Sequence, residues 1–358
     1  MSKLDQPITF RSGLTLPHRV ALAPLTNKQS NADGTLHDDE HAWLSRRAGH
    51  FGLVSTCAAF VSEEGHAWDG QLGIANDDHG PGLMRLAASL KAKGSVAMVQ
   101  LHHGGIKADL APEKLSTVDG DGVRGANDAD LERVRDTFVS AAKRAAAAGF
   151  SGVEIHGANG YLFTQFLAPK DNPRTDAYGG DLAGRARLLR ETVRAVVAAM
   201  EPGFSVGVRI SPVDVWAVRG LLLSDGAQLA AWLAEDGVDF VHLSLSDASG
   251  PAPHEQAGPP VTTAIREALP STVALCVAGG VWTRQDAERA EAAGADIVVV
   301  GRAAIAHPDW PQASVSSDFA PVRPPWPPEH LRNAAVGPDL LEYLSGFPGM
   351  VVGGKPSR

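Results

Sequence analysis

Eight short apolar runs recur along the chain, each ending in glycine or polar punctuation and most followed by a stretch of helical spacing. They are ALAPLT (21–26), GLVSTCAAF (52–60), SVAMVQL (95–101), GVEIHG (152–157), SVGVRIS (205–211), DFVHLSL (239–245), ALCVAGG (274–280) and DIVVVGR (296–302). Short runs that are apolar at nearly every position fit parallel strands covered on both faces. Between them, residues 128–148 place Leu131, Val134, Phe138, Ala141 and Ala145 near helical spacing, with Gly149 as a stop. Residues 182–200, 224–235 (Ser224 as N-cap) and 283–293 repeat the pattern. Eight strands alternating with helices predict an α/β fold, a (β/α)8 TIM barrel.

Three segments fall outside that alternation. Residues 8–20, ITFRSGLTLPHRV, alternate roughly in polarity around Gly13 and predict a hairpin capping the barrel bottom. Residues 107–126 are polar, rich in Gly, Asp and Pro, and lack periodicity, which predicts a loop over the barrel top and a candidate lid. The proline-rich stretch 320–328 leads into a short helix at 329–344. This C-terminal helical tail, 320–358, is expected to pack on the barrel or on a neighbouring subunit rather than form a second domain, so 1–358 is read as a single domain.

Composition narrows the class. Of 358 residues 44% are hydrophobic and 20% charged, and no apolar run approaches the roughly 20 residues a bilayer span needs. A net charge of -9 without a Lys/Arg run argues against nucleic acid or an anionic membrane as the main partner. Cys57 and Cys276 are too few for a disulfide framework, and both sit in apolar runs, where an inert core thiol is the plainer reading. His37, His41, His66, His79 and His103 are too scattered to predict a metal site. The N-terminus lacks a signal-peptide pattern, so a cytoplasmic location is the expectation.

The fourth run breaks abruptly into His156, Asn159 and Tyr161, separated by glycines. In parallel α/β folds ligands bind beyond the carboxyl ends of strands, so three polar heads there mark a candidate site. Two donors three residues apart, with a phenol two further on, can converge on one polar atom while the glycines let the backbone turn. Such a group suits gripping a carbonyl oxygen and delivering a proton beside it. Taken alone, His156 could equally be a core histidine.

HGANGYLFTQFLAP, followed by Asn172, Arg174, Asp176, Tyr178, Gly179 and Gly180, closely resembles the signature of the Old Yellow Enzyme family of FMN-dependent ene reductases. The resemblance runs from the first hairpin to His307, Pro308 and Asp309. It implies that His156 and Asn159 hold the substrate's carbonyl or nitro oxygen and that Tyr161 protonates the alkene. Hydride would pass from NADH or NADPH through FMN to the C=C bond of an activated alkene. Lys28 stands where relatives often carry Arg or an aromatic, and His102 where Trp or Ala commonly lines the pocket; both are candidate substrate-binding residues. Lys170 and Asp171 also depart from the usual small residues before Asn172.

A flavin site must then come from the other strand ends. Ala23, Pro24, Leu25 and Thr26 close the first run, where the family has a Pro-containing turn ending in Thr or Cys, and the Thr hydroxyl could donate to a ring carbonyl. Gln100 can donate and accept along the pyrimidine edge. Arg209, costly among apolar neighbours unless paired, could offset the charge that gathers near N1/O2 on reduction; an internal ion pair with Glu154 is the alternative. AGGV (278–281) and VGRA (300–303) fit a phosphate site, with Arg302 as clamp. The resemblance assigns backbone contacts to Ala58, Gly279, Gly280, Gly301 and Arg302.

The same glycine turns would suit a phosphate-binding lyase or isomerase barrel. That chemistry usually wants a strand-end Lys or carboxylates for proton abstraction, and no Lys lies on runs two to eight. A flavin-storing barrel without activity would leave His156, Asn159 and Tyr161 unexplained. No Rossmann fingerprint is present. The physiological substrate, NADH against NADPH, and a homo-oligomer are left open.

Overall fold

The computed structural model describes residues 2–214, 219–253 and 258–354; the last four residues of the expected tail, 355–358, lie outside them. Strands β1 (Ile8–Thr9) and β2 (Thr15–Leu16) form the N-terminal hairpin. The barrel strands are β3 (Val20–Leu22), β4 (Leu53–Phe60), β5 (Val96–His102), β8 (Gly152–Gly157), β9 (Ser205–Ile210), β10 (Phe240–Ser244), β11 (Ala274–Ala278) and β12 (Ile297–Val300), all paired in parallel and closed β12 to β3. Between β5 and β8 lie two short strands, β6 (Lys114–Ser116) and β7 (Val123–Gly125). Helices α1 (Asp38–Arg47), α2 (Gly80–Ala92), α3 (Asp128–Ala147), α5 (Leu182–Ala199), α6 (Leu223–Glu235), α7 (Val261–Ala268) and α8 (Arg284–Ala292) surround the barrel, and α4 (Leu162–Leu167) follows β8 directly. After β12 come α9 (Arg302–Ala306), α10 (Trp310–Ala313), α11 (Pro328–Asn333) and α12 (Pro338–Ser345). The predicted (β/α)8 barrel is thus the observed architecture.

Alternation along each strand separates two cores. Val99, Leu101, Val153, Ile155, Val208, Val241, Leu243, Val277 and Val298 face outward under the helices. Ala21, Met98, Phe240, Ala274, Cys276, Ile297 and Val299 face inward. The hairpin closes the lower end, where Phe10 stacks on Phe240 with ring centroids 5.4 Å apart. A side chain at Gly207 would bring its Cβ within 2.1 Å of that Phe240 ring, so the plug requires a glycine opposite it.

Several local expectations are corrected. Ser224 lies inside α6, whose N-cap is Leu222 without a side-chain bond. Helix α3 shows the expected capping logic instead, with Asn127 and Asp130 bonding reciprocally to each other's backbone N–H. The segment 107–126 is not wholly irregular, since β6 and β7 pair within it. The single tail helix expected at 329–344 is two, because Gly337 and Pro338 interrupt it and Pro cannot continue the first helix's hydrogen bonding. The tail is tied down by Trp326, fully buried, and by Arg47, whose guanidinium donates to the carbonyls of Trp43, Ala304, Ile305 and Ala334.

Candidate functional site

The inward parity that is apolar at the barrel bottom turns polar toward the carboxyl ends. Gln100 and His102 on β5, Glu154 and His156 on β8, Arg209 on β9, and His242 and Ser244 on β10 share that face. Gln100 stands beside Glu154, and His156 and His242 flank Arg209 in register.

Beyond β8 the chain turns through two residues of positive φ, Asn159 (62°) and Gly160 (77°). Asparagine tolerates that conformation better than most side chains, and glycine adopts it freely. The Asn159 N–H donates to Ser211 Oγ at 3.0 Å, and its carbonyl accepts from Lys107 Nζ at 2.9 Å, so the turn is pinned at both ends. A Cβ at Gly160 would meet the Arg219 guanidinium at 2.8 Å and Lys107 Nζ at 3.0 Å, so any side chain there would be strained by the positive φ and would displace both cations.

This turn brings Tyr161 edge-on against His102, with centroids 4.3 Å apart, and against His156 at 5.1 Å. His156 Nδ1 accepts the Ala158 backbone N–H at 3.2 Å. An amide N–H can only donate, so the ring proton sits on Nε2, which has no partner among the described residues. Burial, reinforced by His102 and Arg209, holds His156 well below its usual pKa, and the ring is neutral. His102 is neutral for the same first reason; its Nδ1 accepts a hydrogen bond from Gln71 Nε2 at 3.0 Å, and its Nε2 is buried without a partner. The Tyr161 hydroxyl likewise has no hydrogen-bond partner among the described residues. Burial first, then Tyr343, push its pKa up to about 12.

Arg209 does not pair with Glu154. Its Nη2 donates to Ser244 Oγ at 3.0 Å, and its buried Nε has no partner. Glu154 instead accepts from Gln100 Nε2 at 2.6 Å and His242 Nδ1 at 2.7 Å. Burial opposes the Glu154 charge, but His242, Arg209 and Gln100 together keep the carboxyl below its usual pKa. One Gln100 amide N–H is therefore engaged internally, which leaves the other N–H and the carbonyl oxygen for a ligand.

Arg209 lines a cavity of about 260 Å3 together with Gly279, Gly280, Gly301 and Arg302; Ala23, Leu25 and Trp282 also line it. A Cβ at Gly301 would meet only Ala23 and Leu25, both at 3.7 Å, so it would project into the space these residues enclose. A planar, phosphorylated cofactor fits this set, which combines an unpartnered guanidinium N–H with glycine turns and a second arginine. Pro24 lies lower, against the small interior gap near Glu154 and His242. Thr26 is half-buried with its hydroxyl unpartnered among the described residues. Ala58 pairs with Gln100 across β4 and β5, and its carbonyl accepts from Gln71.

Lys28 is set apart from this cavity. It lines a larger mouth of about 690 Å3 with Asp69, Asp339, Tyr343 and Phe347, its ammonium 5.3 Å from the Tyr343 ring centre. The structure therefore brings His102, His156, Asn159 and Tyr161 together beside Arg209, and places Lys28 at the rim. Reading the chain missed Lys107, Glu154 as partner of Gln100 and His242, Tyr343 and Ser244. Polar residues at alternate positions of otherwise apolar runs were the available signal for Glu154, His242 and Ser244. Nothing local marked Lys107 or Tyr343, which arrive from a loop and the tail. Cys57 is buried, as expected of a core thiol, and donates to the buried Glu40 at 3.0 Å.

The model of the NADH:flavin oxidoreductase / NADH oxidase family matches residues 3–317. A Bacillus subtilis relative, "Probable NADH-dependent flavin oxidoreductase YqiG", is 35% identical over 323 residues, 86% of each chain. The NADH:fumarate oxidoreductase of Klebsiella pneumoniae is 34% identical over 327 residues, which cover 86% of this chain and 35% of that one, so this chain spans about a third of it. Among solved structures, the old yellow enzyme homologue of Zymomonas mobilis superposes with a TM-score of 0.79 at 26% identity, covering 89% of this chain and 94% of the other.

Proposed function

The chain belongs to the NADH:flavin oxidoreductase / NADH oxidase family and is an FMN-dependent NAD(P)H oxidoreductase, and from that premise we propose that it reduces the C=C bond of activated alkenes at the site formed by His156, Asn159 and Tyr161. The observation that carries this reading is the conjunction of the His156 Nε2–H, the Asn159 NH2 and the Tyr161 hydroxyl, all open, beside the cavity that Arg209 lines. FMN, when bound, would supply the hydride chemistry between NADH or NADPH and the alkene.

The residues of the chain do the rest. A neutral His156 donates from Nε2 to the carbonyl or nitro oxygen, and Asn159 donates beside it. Two donors on that oxygen draw charge from the conjugated system and stabilise the enolate-like oxygen as it develops. Because His156 stays neutral, it polarises without giving up its proton. Tyr161 then gives its hydroxyl proton to the α-carbon; a phenol with no internal acceptor is free to turn toward it. Arg209, Gln100 and Thr26 would hold the polar edge of the flavin, and Gly279, Gly280, Gly301 and Arg302 its phosphate. His102 would form the wall behind Tyr161, and Lys28 would meet substrate only at the rim. Lyase or isomerase chemistry has less support, since the carboxylate inside the barrel, Glu154, is occupied by Gln100 and His242.

The test has two parts. Heat-released cofactor should be FMN, and the loaded protein should bind phenols with a long-wavelength charge-transfer band. The double variant His156→Ala/Asn159→Ala should keep its flavin and lose the band. Retention of band and affinity by that variant would place the oxygen site elsewhere.

A further inference from the structure

We propose that Ser244 is a positioning residue that fixes which end of the Asn159 amide faces the substrate oxygen, by linking it to Arg209. The inference rests on the reading of Asn159 as a donor to that oxygen. Ser244 is the last residue of β10 and points into the barrel mouth on the same face as His242. Its Oγ accepts from Arg209 Nη2 at 3.0 Å and donates to Asn159 Oδ1 at 3.1 Å.

The direction of this chain follows from what each group can do. A guanidinium has no lone pair to offer, so it must donate to Ser244. The serine then still has its own proton, and Asn159 Oδ1 is the acceptor in reach. With the amide oxygen held by Ser244, the Asn159 NH2 is left to face the pocket as a donor. The Asn159 backbone is already fixed through Ser211 and Lys107, so rotation of the amide is its main remaining freedom. Asn159 is solvent-exposed, so water could satisfy either orientation. Without Ser244, the amide oxygen would lose its internal donor and could turn toward the substrate oxygen, a repulsive arrangement. The positive charge on Arg209 also polarises the serine hydroxyl and, through it, the amide, which strengthens the donor. One serine therefore connects the expected flavin edge to the substrate oxygen site.

The experiment is a binding cycle on the FMN-loaded protein, with 4-hydroxybenzaldehyde as probe and its charge-transfer band as readout. Ser244→Ala should weaken probe affinity on the order of tenfold, the usual size for one hydrogen bond of this kind, with flavin content and melting temperature near wild type. Asn159→Ala should weaken it similarly, and adding Ser244→Ala to Asn159→Ala should change it by less than about twofold, because coupled residues are not additive. Ser244→Thr, which keeps a hydroxyl, should stay within about threefold of wild type. Full additivity in the double variant, a Thr variant as weak as Ala, or an unchanged Ser244→Ala beside a weakened Asn159→Ala would each overturn the Ser244 role alone. An unchanged Asn159→Ala would overturn the substrate-oxygen reading and the Ser244 role with it.

Discussion

Replacing Tyr161 by Phe separates an acid from a packing aromatic. The ring contacts with His102 and His156 are edge-on contacts of the carbons and survive the change. The hydroxyl has no hydrogen-bond partner among the described residues, so its removal strands no buried acceptor. Stability should therefore move by less than about 0.5 kcal/mol. The kinetic effect follows from acid strength. With its pKa pushed up to about 12, Tyr161 is a weak acid, yet it is stronger than water, at about 15.7, by close to four units. With a Brønsted slope of about one half, that difference gives roughly a 10²-fold slowing of alkene protonation, at the low end of the usual range for a positioned acid. Flavin reduction by nicotinamide needs no proton from Tyr161 and should be unchanged. Nitroalkenes, whose reduced form is stable before protonation, should still accept hydride. Stopped-flow traces of the two half-reactions, run separately, decide the matter. Equal slowing of both halves, or of neither, would refute the assignment and leave Tyr161 as a wall of the pocket.

Three further expectations follow from the same geometry. Arg209→Ala removes a guanidinium from the inward polar layer and should lower flavin retention and slow flavin reduction by on the order of 3 kcal/mol in rate terms; normal flavin content with a normal rate would leave Arg209 a purely structural cation. Tyr161 must be protonated to act, and burial raises its pKa, so alkene reduction should stay flat from pH 7 to about 10, where an ordinary tyrosine would already be half ionised; a decline centred near pH 10 would remove Tyr161 as the acid or its burial as the cause. Arg47→Met leaves four carbonyls without their buried cation and should destabilise the fold by about 3–5 kcal/mol in a urea or thermal melt; a loss under about 1 kcal/mol would mean water replaces the guanidinium.

The barrel was legible in the chain because strands covered on both faces must be apolar at both parities, and eight such runs admit few closures. The cluster at His156, Asn159 and Tyr161 was equally legible, because it is contiguous and its turn is written in its own Asn-Gly pair. Element ends were less so. The start of α6 carries no capping side chain, and Ser224 offered a plausible but wrong one. The partners of the polar groups were not legible at all. Arg209 and Glu154 are both inward residues of adjacent strands, and their opposite charge made an ion pair between them the alternative reading. Register instead sets Glu154 beside Gln100, while His242 from β10 reaches its other oxygen, and Arg209 is left to Ser244. Those choices depend on residues 35 to 88 positions apart meeting in one layer. Lys107 and Tyr343 reach the site for a similar reason, one from a loop and one from the tail. Local sequence determines which groups exist and which face they take. Closure of the barrel decides which donor meets which acceptor, and so which polar atoms remain open to a ligand.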